Sequence, residues 1–149
     1  MAELMQRFKF HASPRAGTLL LALLEEGLAG SEPPQALIAV PLHPHRARER
    51  GFDQGYWLAE RLAARLHVPL VGARRLADTR SQRGLDRGKR RGNLRGAFRL
   101  EARLPPRVAL LDDVMTTGAT LDALARACRQ AGATEIEAWA IARTPLATP

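Results

Sequence analysis

An apolar run that ends in two adjacent carboxylates and a small, hydroxyl-rich turn constrains this chain more than any other feature. Val108–Leu111 is the run, Asp112 and Asp113 are the acids, and Thr116-Thr117-Gly118-Ala119-Thr120 is the turn. A helical pattern opens at Leu121. The order reads as strand, acidic tip, loop and helix N-terminus. Carboxylates accept hydrogen bonds from a sugar diol, and loop N–H groups at the positive end of a helix dipole hold a phosphate dianion. Together the parts suit a phosphorylated ribose. The plainer alternative is an ordinary strand–turn–helix crossover with two cap-like acids, but few crossovers combine paired acids with threonines and a glycine.

The rest of the chain supplies a frame for such a unit. Leu19, Leu20, Leu23, Leu24 and Leu28 recur at helical spacing, with Gly30 to close the helix. Ala36–Val40 reads as a short buried strand cut off by Pro41, and Pro41 to Gly55 as polar, basic and irregular. Leu58, Leu62 and Leu66 mark one face of a helix from Tyr56, and Pro69–Val71 a short strand. Phe98, Leu100 and Ala102 alternate with charged residues, as on a half-exposed strand. A helix is expected over Leu121–Ala131, closed by Gly132, and a last strand over Ile136–Ala142. Alternating strands and helices predict an α/β fold with a central parallel sheet flanked by helices. Ligands on such sheets bind at the carboxyl ends of strands, where Pro41 and Asp112 stand.

All 149 residues are expected to form one domain, long enough for a core without metal or disulfide staples. The single cysteine, Cys128, rules out an internal disulfide and a cysteine-cluster zinc site, and its helical face marks it as a small core residue. Trp57 and Trp139 are expected in the core as well. His43 and His45 flank one proline, but zinc needs further ligands and no third lies near in sequence, so no metal site is expected there. No apolar run approaches the ~20 residues of a membrane span, so a cytoplasmic protein without membrane contact is expected. Neither a P-loop nor a dinucleotide fingerprint is present.

The net charge of +8 is placed unevenly. From Arg80 to Arg99 eight basic residues face one acid, Asp86, so this stretch carries +7 and the remainder +1. Its partner is expected to be a polyanion: a pyrophosphate, a nucleic acid, or both in turn. Gly84, Gly88, Gly92 and Gly96 recur within it, and each glycine costs roughly 1 kcal/mol in a helix relative to alanine. A basic loop is expected, with a solvated charge run as the bland alternative. Aromatic residues make up only 5% of the chain, so stacking platforms for single-stranded DNA are scarce.

The segment VALLDDVMTTGAT resembles the 5-phosphoribosyl-1-pyrophosphate (PRPP) signature of type I phosphoribosyltransferases. The resemblance implies that Asp112 and Asp113 bind the ribose hydroxyls and, indirectly through PRPP, Mg²⁺. Met115, Thr116, Thr117, Gly118, Ala119 and Thr120 would bind the 5-phosphate. The stretch V-P-L-H-x-x-R-x-x-x-R-G-F-x-Q, running from Val40 to Gln54, narrows the resemblance to the ComF/GntX family. Arg46, Arg50 and Gly51 would then bind pyrophosphate, the arginines through bidentate forks. Asp53 stands where the family usually has Asn. A third match, through Gln82, Leu85, Arg90, Asn93, Ala97 and Phe98, implies a flexible loop that closes over PRPP. Gln82, Lys89, Arg90, Arg91 and Asn93 are its candidate residues.

The resemblance implies the type I phosphoribosyltransferase fold, with a small hood and flexible loop. It implies transfer of ribosyl-5-phosphate from magnesium-PRPP to an unidentified acceptor, linked to DNA uptake in natural competence. No residue stands out as a general base. The alternative is a non-catalytic competence factor that senses PRPP or binds single-stranded DNA through Arg80–Arg99, with other competence proteins as partners. Family members commonly begin with a zinc finger of paired C-x-x-C motifs. This sequence has none, and Leu4–His11 is similar to the stretch that follows that finger.

Overall fold

The computed structural model describes residues 2–42, 44–76, 96–115 and 117–144. Three parallel strands form the centre in the order β1-β4-β5: β1 is Ala36–Ala39, β4 Arg107–Met115 and β5 Glu135–Arg143. Ala36 pairs with Val108, and Arg107 with Glu135. Leu70 adds a single parallel bridge to Leu37 on the outer side of β1, where a short strand was expected.

The central strands are apolar because both of their faces are covered. Leu37, Ala39, Ala109 and Leu111 point into one apolar cluster, and Ala36, Ile38, Val108 and Leu110 into another. The first cluster is closed by α1 (Ala2–His11), α2 (Pro14–Gly27) and α4 (Gln54–Leu66). The second is closed by the last helix, α5 (Ala119–Gln130), and by an antiparallel ribbon of β2 (Ala73–Arg75) with β3 (Phe98–Leu100). Cys128 is buried in this second cluster, and burial pushes its thiol up to about 11, so it behaves as an inert apolar residue.

Local chemistry fixes the helix ends. The Ser13 hydroxyl accepts from Ala16 N–H at 3.4 Å, and Pro14 opens α2 with its φ already set. Asp53 Oδ1 accepts from Tyr56 N–H at 2.9 Å and starts α4. The stretch Pro41 to Gly55 is therefore not irregular throughout, as its composition implied: it holds α3 (Pro44–Arg50) and the first turn of α4. The arginine and glutamate side chains of α3 hid a helix because the element is too short and too polar to show an apolar period. No described helix is long and apolar enough to cross a membrane.

α1 was not legible as a helix. Its Met5 and Phe8 are buried, and Phe8 stands edge-on to Phe52 and Trp57 with ring centroids 5.5 and 5.3 Å apart. Trp57 and Phe52 are partly buried against this cluster, while Trp139 is buried in it. Gly17 of α2 makes the approach feasible: a Cβ there would lie 2.7 Å from the Phe8 ring and 2.8 Å from the Trp57 ring. Gly17→Ala would gain up to ~1 kcal/mol of helix propensity, but ring edges cannot swing away as a chain end can. We expect net destabilisation of about 1–3 kcal/mol, read as a lowered denaturation midpoint. A raised midpoint would refute the packing account.

Candidate functional site

β4 does not stop at its acids. It continues through Asp112 and Asp113 to Met115, with Asp112 opposite Ala140 and Met115 opposite Arg143. The alternation of faces breaks there, since Val114 packs with the first cluster and Met115 with the second. Two short hydrogen bonds mark the break. Asp113 N–H donates to Asp112 Oδ1 at 2.8 Å, and Val114 N–H donates to Asp113 Oδ1 at 2.7 Å.

The two carboxylates are not freely exposed, and their surroundings differ. Asp113 Oδ2 accepts from Gln54 Nε2 at 3.0 Å and faces Lys9 Nζ at 2.9 Å. Burial opposes its charge, but the hydrogen bonds from Gln54 and Lys9 together hold its carboxyl below the usual range. Asp112 is pushed up to about 7, by burial first and then by the neighbouring charge of Asp113. Adjacent acids in one strand are thus set apart: one is held as a carboxylate, the other titrates near neutrality.

Cations approach from three elements. Lys9 comes from α1. Arg46 lies in α3 and Arg75 in β2, and Arg75 interacts electrostatically with both Arg46 and Asp112. The Arg75 guanidinium is lowered by burial first and by Arg46 next, while Asp112 raises it, so Arg75 links the cations to the acids. Arg75 also sits 5.0 Å over the Phe98 ring, which ties it to the ribbon.

The loop after β4 is compact. Thr117 Oγ1 accepts from Ala119 N–H at 3.3 Å, and Asp122 N–H donates to Gly118 O at 2.9 Å. Gly118 stands at the N-cap of α5 with φ 78°, and α5 begins without a side-chain cap. Ala119 and Thr120 form its first turn. This leaves a helix N-terminus facing the end of β4 with no carboxylate or hydroxyl of its own N-cap residue in the way.

Of the residues singled out in the sequence, Asp112, Asp113, Met115, Thr117, Gly118, Ala119 and Thr120 lie in one continuous strand–loop–helix unit. Met115 contributes backbone there, for it packs against the second cluster. Gly51 closes α3 with φ 60° and donates its N–H to Ala47 O at 2.9 Å, a left-handed position that favours glycine. Arg50 lies in α3, but its side chain falls outside the described residues, as do Thr116 and His43. Gln82, Lys89, Arg90, Arg91 and Asn93 lie outside them too, with the basic stretch up to Arg95. His45 is 3.0 Å from Glu49, one turn on in α3.

Sequence reasoning missed Lys9 and Arg75. Arg75 lies in no motif and Lys9 lies in the family-like stretch Leu4–His11 that was given no site role; the packing of α1 brings Lys9 near β4, and the pairing of β2 with β3 fixes Arg75. Asp53, whose role the sequence left open, caps α4; burial raises its carboxyl, and the caps to Tyr56 and Gly55 oppose that. An asparagine would cap equally well.

No family model matches the chain. It is 36% identical over 155 residues to Competence protein F of Haemophilus influenzae, covering 96% of this chain and 68% of that protein. It is 33% identical over 153 residues to the DNA utilization protein YhgH of Shigella flexneri, covering 97% and 67%. Among solved structures it is similar to the orotate phosphoribosyltransferase of Aeropyrum pernix, with a TM-score of 0.59 and 20% identity over 90% of this chain and 75% of that one. That likeness shows the fold: type I phosphoribosyltransferase, as the motif implied.

The raised Asp112 carboxyl makes a stability prediction. Its folded value, about 7, lies above the ordinary carboxylate value, so the folded chain binds a proton there more tightly than the unfolded chain. The penalty is full above pH ~7 and is relieved as pH falls towards ~4. Asp112→Asn should therefore raise the melting temperature at pH 8 by several degrees, with the gain shrinking towards pH 4. Parallel melting curves across that range would contradict the assignment.

Proposed function

Because this chain belongs to the ComF family of competence proteins, we propose that it binds magnesium-PRPP at the end of β4 and transfers ribosyl-5-phosphate to an acceptor not yet identified. The observation that carries the reading is two carboxylates, Asp112 and Asp113, in the last stretch of β4, with the glycine-capped N-terminus of α5 following within a few residues. In this reading Asp112 and Asp113 take the ribose hydroxyls, and the turn from Met115 to Thr120 takes the 5-phosphate. Arg46, with Arg50 and Gly51 beside it, takes the pyrophosphate, and Arg75 reinforces Arg46 from the ribbon. Gln82, Lys89, Arg90, Arg91 and Asn93 close over the ligand.

In the transfer, the bond from the anomeric carbon to pyrophosphate breaks and a bond from the acceptor forms. The carboxylates and phosphate turn fix the sugar, and the guanidinium groups stabilise the departing charge. Magnesium would enter as part of the ligand, held to it by the pyrophosphate and ribose oxygens. Asp112 and Asp113 offer hard oxygens to an ion that keeps waters and substrate oxygens around it. When bound, the ion would offset pyrophosphate charge.

Calorimetry tests this. Heat of PRPP binding is expected only with a divalent cation. Asp112→Asn with Asp113→Asn should weaken binding at least tenfold, since a hydrogen bond to a charged group contributes about 1.5–3 kcal/mol. Thr117→Ala should cost less, because the turn offers mostly backbone N–H groups. Unchanged affinity in the double variant, with an intact melting transition, would remove the site from the proposal. Consumption of PRPP with time then separates an enzyme from a sensor.

A second reading, single-stranded DNA binding, is favoured by the +7 carried between Arg80 and Arg99. It predicts a log–log salt slope of roughly −0.7 per neutralised phosphate. Replacing Arg87, Arg90, Arg91 and Arg95 by Gln should flatten that slope. Tight binding that survives high salt would contradict a charge-borne contact, because few aromatic residues are present to stack bases.

A further inference from the structure

We propose that Lys9, on the N-terminal helix, is a positioning residue of the ligand site: its ammonium and the Gln54 amide clamp one oxygen of Asp113, so that α1 and α4 together set where this carboxylate meets the ribose. The inference rests on the PRPP reading above and deepens it.

Lys9 Nζ and Gln54 Nε2 reach the same oxygen, Asp113 Oδ2, at 2.9 and 3.0 Å. Val114 N–H takes the other oxygen at 2.7 Å. Three donors from three elements define the carboxylate plane. The side chains of Lys9 and Asp113 are only 20% and 17% exposed, so solvent screens this pair less than a surface pair. Its removal leaves a poorly solvated charge behind.

The anchoring of Lys9 is independent of the site. Phe8, its neighbour in sequence, is buried against Phe52 and Trp57, and Gly17 lets α2 press on the same rings. The aim of the ammonium is thus set by packing before any ligand arrives.

Gln54 adds the second argument. It is fully buried, and its amide must point its nitrogen at the carboxylate, which can only accept. Its Oε1 is then left buried with no hydrogen-bond partner among the described residues. A buried acceptor without a partner costs free energy, so Gln54 does not serve the stability of the core as an apolar residue would. Its position is explained by what it does to Asp113.

The test uses the full chain, with magnesium-PRPP as the titrant. Lys9→Met keeps the apolar stem and should weaken binding about tenfold; Lys9→Arg should restore most of it. In an Asp113→Asn background, Lys9→Met should have a much smaller further effect, because the clamp has lost its charged target. This double variant also removes the unpaired charge, so it stays informative if Lys9→Met alone folds poorly. Wild-type affinity in a folded Lys9→Met variant overturns the inference and leaves the PRPP reading standing. So does an undiminished effect of Lys9→Met on Asp113→Asn, which would mean direct contact with the ligand. Absence of binding by the unmodified chain overturns the reading and the inference with it.

Discussion

Two adjacent carboxylates at the end of a strand covered on both faces are the constraint around which this structure is organised. Val108–Leu111 runs through the middle of the sheet, and its side chains fill both apolar clusters. The strand therefore delivers Asp112 and Asp113 to the edge of a low-dielectric interior, where two like charges repel and neither is well hydrated. Nearly every polar feature nearby answers that problem. Lys9 and Gln54 hold Asp113 in its charged form, and Asp112 absorbs the conflict by titrating near neutrality. The break in strand alternation lets the two N–H groups that follow each acid donate to the acids themselves.

This division decides which neighbour dominates at each acid. Asp113 faces α1 and α4, and specific hydrogen bonds outweigh burial there. Asp112 lies in the field of Arg75, but burial and the adjacent charge of Asp113 act together there and outweigh the opposing charge of Lys9. A ligand that brings hydroxyl donors to Asp112 and anionic oxygens to the arginines would relieve both groups together. This complementarity is stronger support for a sugar polyphosphate than the helix N-terminus alone, which any strand–loop–helix crossover supplies.

What could be read from the sequence was what depends on contiguous residues. The central strands, the apolar faces of α2, α4 and α5, and the strand–turn–helix unit all announce themselves by period or by local order. α1 and α3 did not. α3 is short and highly charged, and α1 buries mainly Met5 and Phe8, so neither shows a long apolar stripe. Lys9 and Arg75 were invisible for another reason. Their place near β4 follows from helix packing at Gly17 and from a ribbon pairing of β2 with β3, neither of which has a local signature. Asp53 shows the reverse case: a departure from the family pattern whose role the sequence left open, and whose capping bond an aspartate makes as well as an asparagine.

The ribbon also fixes where the basic segment is tethered. Arg75 pairs with Phe98, and Leu76 N–H donates to Ala97 O at 2.7 Å, so the chain between them leaves and returns at one end of the ribbon. That end carries Arg75, whose guanidinium feels both Arg46 and Asp112. The two ends of that basic stretch are thus set at Leu76 and Ala97, next to the Arg75 end of the ribbon. If the PRPP and DNA readings both hold, magnesium-PRPP is expected to weaken DNA binding, because the ribbon end from which the basic stretch departs carries Arg75, whose charge is coupled to Asp112.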